Sequence, residues 1–175
     1  MKYIYYPGCT LETTALEYNK STQAAMQALG AELMEIEDWN CCGAAAGEAT
    51  SHLLSMVLAA RNLALAEKMD GGADLLIPCS GCYLNLRKVE DHVKREEGLF
   101  GKINEALKEE ALEYKGKIKV RHLLDVLSRD FDPENIRPLV KKEMSGLKVA
   151  PYYGCQALRP YPDFDDPQQP RTMEP

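Results

Sequence analysis

The segment ELMEIEDWNCCGAAAGEA, residues 32–49, joins a short apolar run to two adjacent cysteines and a glycine. Residues 32–36 predict a β-strand, and the CCG sequence predicts the loop that follows it. Adjacent Cα atoms lie only about 3.8 Å apart, so the thiols of Cys41 and Cys42 cannot be spread around a small site as independent ligands. The pair therefore indicates a special chemical role at the end of a strand.

The same order of strand, loop and helix recurs along the chain. Four further runs predict strands, the third of them weakly: residues 3–6, 74–77, 117–120 and 147–152. Helical patterns occupy most of the intervals: residues 13–29, 50–69, 83–97, 100–114, 122–131 and 133–144. Parallel neighbours need such crossover connections, so the pattern predicts an α/β fold with a doubly wound, mostly parallel sheet and helices on both faces.

Most cysteines directly follow a predicted strand. Cys9, the Cys41–Cys42 pair, Cys79 and Cys155 each come one to five residues after one. They should therefore emerge at the carboxyl edge of the sheet, where open α/β sheets bind ligands. We expect three loops that are remote in sequence to form one pocket with five thiols, those of Cys9, Cys41, Cys42, Cys79 and Cys82.

Composition and charge narrow the class of protein. A chain of 175 residues, 45% apolar and with a net charge of -6, suits a folded domain. Lysine and arginine alternate with acidic residues, as in KVEDHVKREEG, which argues against a nucleic-acid partner. The N-terminus has no long apolar run and no segment is long enough to span a bilayer. The sequence predicts a cytoplasmic protein with reduced thiols that serve metal binding or redox chemistry.

The number of cysteines favours a polynuclear site over a mononuclear one. A single Zn²⁺ takes four ligands, so five thiols with one adjacent pair fit it poorly. In an iron–sulfur cluster, neighbouring cysteines can bind neighbouring irons, and adjacent glycines let backbone amides approach the sulfides. Two other interpretations stay open: Cys41 and Cys42 as small core hydrophobes, and the Cys79-Ser-Gly-Cys82 sequence as a thioredoxin-like dithiol.

The cysteine spacing resembles that of a known family. Cys9 is followed after 31 residues by Cys41-Cys42-Gly43, and after 35 more by Cys79-Ser80-Gly81-Cys82. Together with the opening YYPGC and the later HLLDVL, this pattern resembles the CCG domain of the heterodisulfide reductase family, in its B-type subunit. The resemblance implies that a non-cubane [4Fe-4S] cluster is bound by five ligands: Cys9, Cys41, Cys42, Cys79 and Cys82.

The resemblance also implies an activity and partners. It implies an oxidoreductase subunit that reduces a small-molecule disulfide with electrons from an iron–sulfur partner subunit. Family members carry two CCG domains, and PYYGC at residues 151–155 echoes YYPGC at residues 5–9. We therefore divide the chain into a first CCG domain at 1–150 and the start of a truncated second repeat at 151–175, a loop or disordered segment. This N-terminal half is expected to be incomplete or inactive alone, and Cys155 to belong to the second repeat.

Two other functions are compatible with the same cysteines. One is a non-catalytic module stabilised by zinc, in which four of the five thiols are direct ligands. The other is a thiol-based redox sensor, in which Cys79 and Cys82 form a reversible disulfide, or Cys9 forms one with the CCG pair. No histidine is assigned as a ligand, because His52, His92 and His122 all fall within predicted helices or at their starts.

Overall fold

The sheet of this protein has four parallel strands. A computed structural model describes residues 1–69, 72–150, 152 and 154–171. The strands in chain order are β1 Lys2–Tyr5, β2 Glu32–Glu35, β3 Leu75–Ile77 and β4 Val120–His122. They lie in the order β2-β1-β3-β4, and all three neighbouring pairs are parallel. The predicted α/β class with a doubly wound parallel sheet is confirmed.

Seven α-helices are found in the described residues. They are α1 Leu16–Ala28, α2 Ala44–Thr50, α3 His52–Met69, α4 Ser80–Arg95, α5 Leu99–Leu107, α6 Leu123–Arg129 and α7 Pro133–Ile136. The sequence does not predict α2, a separate helix that begins directly after the CCG loop. The helix predicted at residues 133–144 is only one turn long and continues as a 3-10 turn, Arg137–Leu139.

The alternation of side chains along β1 separates two apolar layers. Tyr3 and Tyr5 point to one face, where they pack with Met26 of α1 and Val126 of α6. Ile4 points to the other face, into the larger core that α3, α4 and α5 cover. Helices on both faces explain why β3 is buried throughout and β1 is buried after its first residue, as expected for a parallel sheet.

The strand order positions the functional site. β1 and β3 are neighbours at the centre of the sheet. The chain leaves β1 towards β2 at one edge and leaves β3 towards β4 at the other edge, so the two connections diverge at the carboxyl ends of these strands. Such a switch point leaves a crevice where α/β proteins bind ligands. Cys9 follows β1 and Cys79 follows β3, so both border this crevice.

Two strand predictions are wrong. Residues 147–150 and Tyr152 belong to no strand, and Leu147, Val149 and Tyr152 are exposed, because the one-turn helix α7 is too short to cover a fifth strand. Pro151 lies outside the described residues. The fourth strand lies later than the predicted 117–120, because the backbone N–H groups of Lys117 and Ile118 donate to the carboxylate of Glu67 instead of to a strand.

The segment after residue 150 is folded against the domain. Its described part, Tyr152 and residues 154–171, consists of turns and bends without helix or strand. Leu158 and Phe164 are nevertheless buried, and Asp163 accepts hydrogen bonds from Tyr83 and Arg87 of α4. The segment therefore packs as an irregular strap on α4, and its assignment to a second repeat stays a prediction.

A five-cysteine candidate metal centre

Five cysteines lie together at the carboxyl edge of the sheet. The Sγ atoms of Cys9 and Cys41 are 3.4 Å apart, and those of Cys42 and Cys82 are also 3.4 Å apart. Cys79 forms a hydrogen bond with Cys82. The structure thus brings together three loops separated by more than 30 residues, as the geometry of a parallel sheet predicts.

The two sulfur pairs differ in their exposure. Cys42 and Cys82, which we call the inner pair, are both buried. Cys9 and Cys41, which we call the outer pair, are both exposed, and Cys79 is intermediate. A metal group bound by all five would therefore have one side sealed in the apolar core and one side open to solvent.

Buried polar groups fix the CCG loop. Asn62 of α3 is fully buried, and its side-chain amide accepts a hydrogen bond from the backbone N–H of Asn40 and donates one to its carbonyl. Tyr6 donates to the same carbonyl, with a distance of 2.8 Å. These bonds replace strand pairing at a point where the backbone leaves the sheet. Asn62 therefore positions the two cysteines that follow Asn40.

Gly8 allows the first loop to approach the inner pair. Its φ of 77° and ψ of 158° lie in a region that side chains rarely adopt. A Cβ atom built on Gly8 would lie 2.7 Å from the Sγ of Cys82. Any other residue would thus displace the sulfur or the backbone, so the glycine is a requirement of the site itself.

The surroundings favour ionised thiols at two positions. The hydrogen bond with Cys82 is the main cause that lowers the pKa of Cys79 to about 6, and backbone N–H groups at the start of α4 assist it. The same cause lowers the pKa of Cys42 to about 7, against the opposing effect of burial. Cys82 keeps its proton, because its neighbours and its burial raise its pKa. Metal ions bind thiolates, so this arrangement is ready for ligation.

The sulfurs are spread more widely than one metal ion requires. With Zn–S bonds of about 2.3 Å, the sulfurs of a tetrahedral site are all roughly 3.8 Å apart. In the described residues, one group of at least three His, Cys, Asp or Glu side chains has all its ligand atoms within 4.8 Å of one another. That group is His52, His92 and Glu96, so no three cysteine sulfurs in this part of the chain are this close together. The cysteines instead form two neighbouring groups, one of two sulfurs and one of three, which suits a polynuclear group.

Cys155 is separate from this cluster. The sulfur contacts found in the described residues pair Cys9 with Cys41 and link Cys42, Cys82 and Cys79; Cys155, which is exposed, takes part in none of them. The expectation that it follows a strand at the same sheet edge is wrong, because residues 147–150 form no strand. Its neighbour Gln156 does approach the site: its Oε1 would lie 3.5 Å from a Cβ on Gly81.

Several supporting residues are not predicted from the sequence. Asn85 donates to the carbonyl of Cys42, at 3.3 Å, and lies 3.8 Å from its Sγ. The Nε2 of His122 lies 3.2 Å from the hydroxyl of Ser80, while its Nδ1 accepts from the backbone of Leu124. His122 is thus a buried helix cap beneath the second cysteine loop. The only signal in the sequence is that each of these polar residues interrupts an apolar run.

Comparison with known proteins identifies the class of domain. Residues 3–87 match the family described as "CCG: Cysteine-rich domain". A crystal structure of a hypothetical protein from Helicobacter pylori shares the fold, with a TM-score of 0.61 at 20% identity, over 73% of this chain and 25% of that one. Residues 3–87 of this chain are therefore similar to the CCG cysteine-rich domain family, and the solved structure shares the fold.

Two relatives are similar over nearly the whole chain. The 8-methylmenaquinol:fumarate reductase membrane anchor subunit of Wolinella succinogenes is 39% identical over 99% of this chain and 60% of its own length. The B-type subunit of the ferredoxin/F(420)H(2)-dependent CoB-CoM heterodisulfide reductase of Methanosarcina acetivorans is 30% identical over 89% of this chain and 51% of its own length. The resemblance to the B-type heterodisulfide reductase subunits is thereby confirmed, and the chain spans roughly half to three fifths of these relatives.

The similarity to a membrane anchor subunit raises the question of a membrane span. Within the described residues, no helix combines the length and apolar character needed to cross a bilayer.

Proposed function

We propose that this chain is the iron–sulfur module of a heterodisulfide reductase-like oxidoreductase, which transfers electrons to a disulfide substrate. The observation that carries the proposal is the convergence of five cysteine sulfurs from three loops at the switch point of the sheet. The two relatives described above are both reductase subunits, which supports a redox role for the same loops.

The residues present suit a non-cubane [4Fe-4S] cluster. Its ligands would be the five cysteines of the site: Cys9, Cys41, Cys42, Cys79 and Cys82. Five thiols exceed the needs of one zinc ion, and the lowered pKa values of Cys42 and Cys79 favour thiolates. The backbone at Gly8 leaves room beside Cys82 that a side chain would fill. When bound, such a cluster supplies electrons one at a time to a two-electron disulfide reduction.

The protein's own groups divide the work between the two sides of the site. Tyr6 and Asn85 lie beside the inner pair, where burial raises the pKa of Tyr6 and keeps its hydroxyl protonated. Both side chains shield the inner pair from water, and Asn85 also donates a hydrogen bond to the sulfur of Cys42, which stabilises negative charge there. The exposed outer pair leaves the opposite side accessible, so a disulfide would approach past Cys9 and Cys41.

The activity of a whole reductase needs more than this domain. The matched relatives are longer, so the substrate and the electron donor are proposed for the complete assembly. The donor would be an iron–sulfur partner subunit, and the substrate a mixed disulfide of two small thiols. Cys155 would be the first cysteine of a second CCG motif, because residues 151–155 repeat the pattern of residues 5–9.

A second candidate is electron transfer linked to a quinol. The observation that favours it is the greater identity, 39% against 30%, to the 8-methylmenaquinol:fumarate reductase subunit. The same five thiols would then hold the cluster, and the reaction partner would be a quinol instead of a disulfide.

The test is electron paramagnetic resonance of anaerobically purified protein. A thiol product of the disulfide, such as coenzyme M or coenzyme B, should shift the signal of the oxidised cluster when it is added in excess, and Cys155→Ser should behave like the native protein. A shift with a menaquinol analogue alone would select the second candidate. Colourless protein with stoichiometric zinc, or metal-free protein with titratable thiols, would contradict both and favour the zinc module or the redox sensor.

A further inference from the structure

A second group of metal-binding side chains lies far from the cysteines. His52 is the first residue of α3, and His92 and Glu96 lie one turn apart at the end of α4. The Nε2 of His52 is 3.3 Å from one carboxylate oxygen of Glu96, and the Nδ1 of His92 is 2.6 Å from the other. From Cys82 to His92 the helix rises roughly 15 Å, so the group is well separated from the five-cysteine centre.

Two imidazole rings and one carboxylate meet in this group. The two imidazole rings lie with centroids 5.5 Å apart, and both contact the single carboxylate of Glu96. The nearby carboxylate of Glu48 is held by Lys88 at 2.8 Å, and that of Asp91 by Arg95 at 2.9 Å. The two rings and the carboxylate of Glu96 therefore have no other ionic partner among these neighbours, and their ligand atoms all lie within 4.8 Å of one another, close enough to share one divalent cation.

The end of α4 adds a favourable field. Glu96 is the C-cap residue of this 16-residue helix, and its backbone N–H binds the carbonyl of His92. The C-terminus of a helix carries partial negative charge, which attracts cations and disfavours a carboxylate without one. The position of Glu96 is thus better suited to a metal ion than to an isolated carboxylate.

We propose that His52, His92 and Glu96 bind Zn²⁺ or a similar borderline divalent transition-metal ion. Two imidazole nitrogens and one carboxylate oxygen form a ligand set typical of three-residue zinc sites, which leave a fourth position for water or another ligand. All three side chains are partly exposed, so an ion can enter and the fourth position faces solvent. The bound ion would join the start of α3 to the end of α4.

Calorimetric titration with Zn²⁺ tests the proposal by comparing variants. All the variants and the native protein keep the same cysteines, so any zinc bound there is the same in each. A difference in zinc affinity between a variant and the native protein therefore reports this site alone. We expect His92→Gln and His52→Gln each to weaken one binding event by at least about tenfold. The matched control is Glu97→Gln, which removes the neighbouring exposed carboxylate and should leave binding unchanged.

Spectroscopy with Co²⁺ identifies the ligands. Nitrogen and oxygen coordination gives weak visible bands without the intense sulfur-to-cobalt charge transfer of a thiolate site, and Glu96→Gln should abolish these bands selectively. The proposal is overturned if His52→Gln, His92→Gln and the native protein bind the same number of zinc ions with the same affinity. It is also overturned if only the α4 variants lose binding, because the site must join both helices.

Discussion

The inner and outer cysteine pairs have the same sulfur–sulfur distance and opposite surroundings. Both pairs lie at 3.4 Å, but Cys42 and Cys82 are enclosed by the core whereas Cys9 and Cys41 face solvent. Cys82 of the inner pair lies in α4 and Cys9 of the outer pair begins a 3-10 turn, whereas Cys41 and Cys42 share the loop that Asn62 holds. From this difference in exposure we expect that the inner pair would anchor a bound cluster and that the outer pair would leave one side of it accessible.

Replacing one cysteine from each pair should show the difference between the inner and outer pairs most clearly. Cys42→Ser should lose nearly all bound iron, because no solvent or buffer ligand can reach the buried position. Cys9→Ser should keep more than half of the bound iron, because an external ligand can replace an exposed thiol. Iron and acid-labile sulfide per chain, measured after anaerobic purification, check the expectation. Equal losses in the two variants would refute the distinction between anchor and open face.

Gly8→Ala tests the close approach of the first loop to the inner pair. The strained backbone alone should cost about 1–3 kcal/mol of unfolding free energy, and the collision with Cys82 should also reduce iron retention. Gly30→Ala is the matched control. Its φ is also positive, at 73°, but a Cβ there meets nothing within 4 Å, so it should cost about 1 kcal/mol and keep the iron. Urea unfolding and iron analysis of both variants decide the matter.

The pH dependence of stability should report His122, which supports the second cysteine loop. Burial is the main cause that lowers its pKa to about 4, below the value of about 6.5 in the unfolded chain. The neutral ring therefore stabilises the fold fully above pH 6.5, and this contribution, up to about 3 kcal/mol, is lost as the pH falls towards 4.

His122→Asn keeps a capping acceptor at this position but cannot titrate in that range. Its unfolding free energy should therefore fall less steeply than that of the native protein between pH 6.5 and 4, as measured by urea unfolding at each pH. Parallel curves for the two proteins would show that the ring is accessible to protons in the folded state.

Asn62→Ala should have an effect of similar size on stability, confined to the CCG loop. The change leaves the backbone N–H and carbonyl of Asn40 without the side-chain amide, and we expect a loss of about 2–3 kcal/mol. Asn135→Ala, at an exposed position, should stay within about 0.5 kcal/mol of the native protein. Equal stabilities by urea unfolding would mean that the loop holds its shape without Asn62.

The sequence predicts the sheet and the meeting of the cysteines because both depend on local patterns. Short apolar runs followed by Pro-Gly-Cys or Pro-Cys mark the ends of β1 and β3, and parallel topology brings those ends to one edge. By contrast, the predicted strand at 147–152 is apolar in pattern but has no covering helix. Local pattern cannot reveal whether such cover exists.

The supporting groups depend on contacts between distant residues. Asn62 contacts Asn40, and His52 contacts Glu96, which is 44 positions away in the sequence. No short sequence motif predicts either contact. The pair His92 and Glu96 does have the i, i+4 spacing of neighbouring groups on a helix. That spacing is a usable signal for a ligand pair, but the third group comes from another helix and needs the fold to identify it.

The most direct measurement is the metal and sulfide content of the native protein, purified without oxygen. Binding of one polynuclear cluster by the five cysteines predicts about four iron atoms and an equal amount of acid-labile sulfide per chain, with negligible zinc at the cysteines. A single zinc ion held by the cysteines, or no metal and five free thiols, would contradict the account.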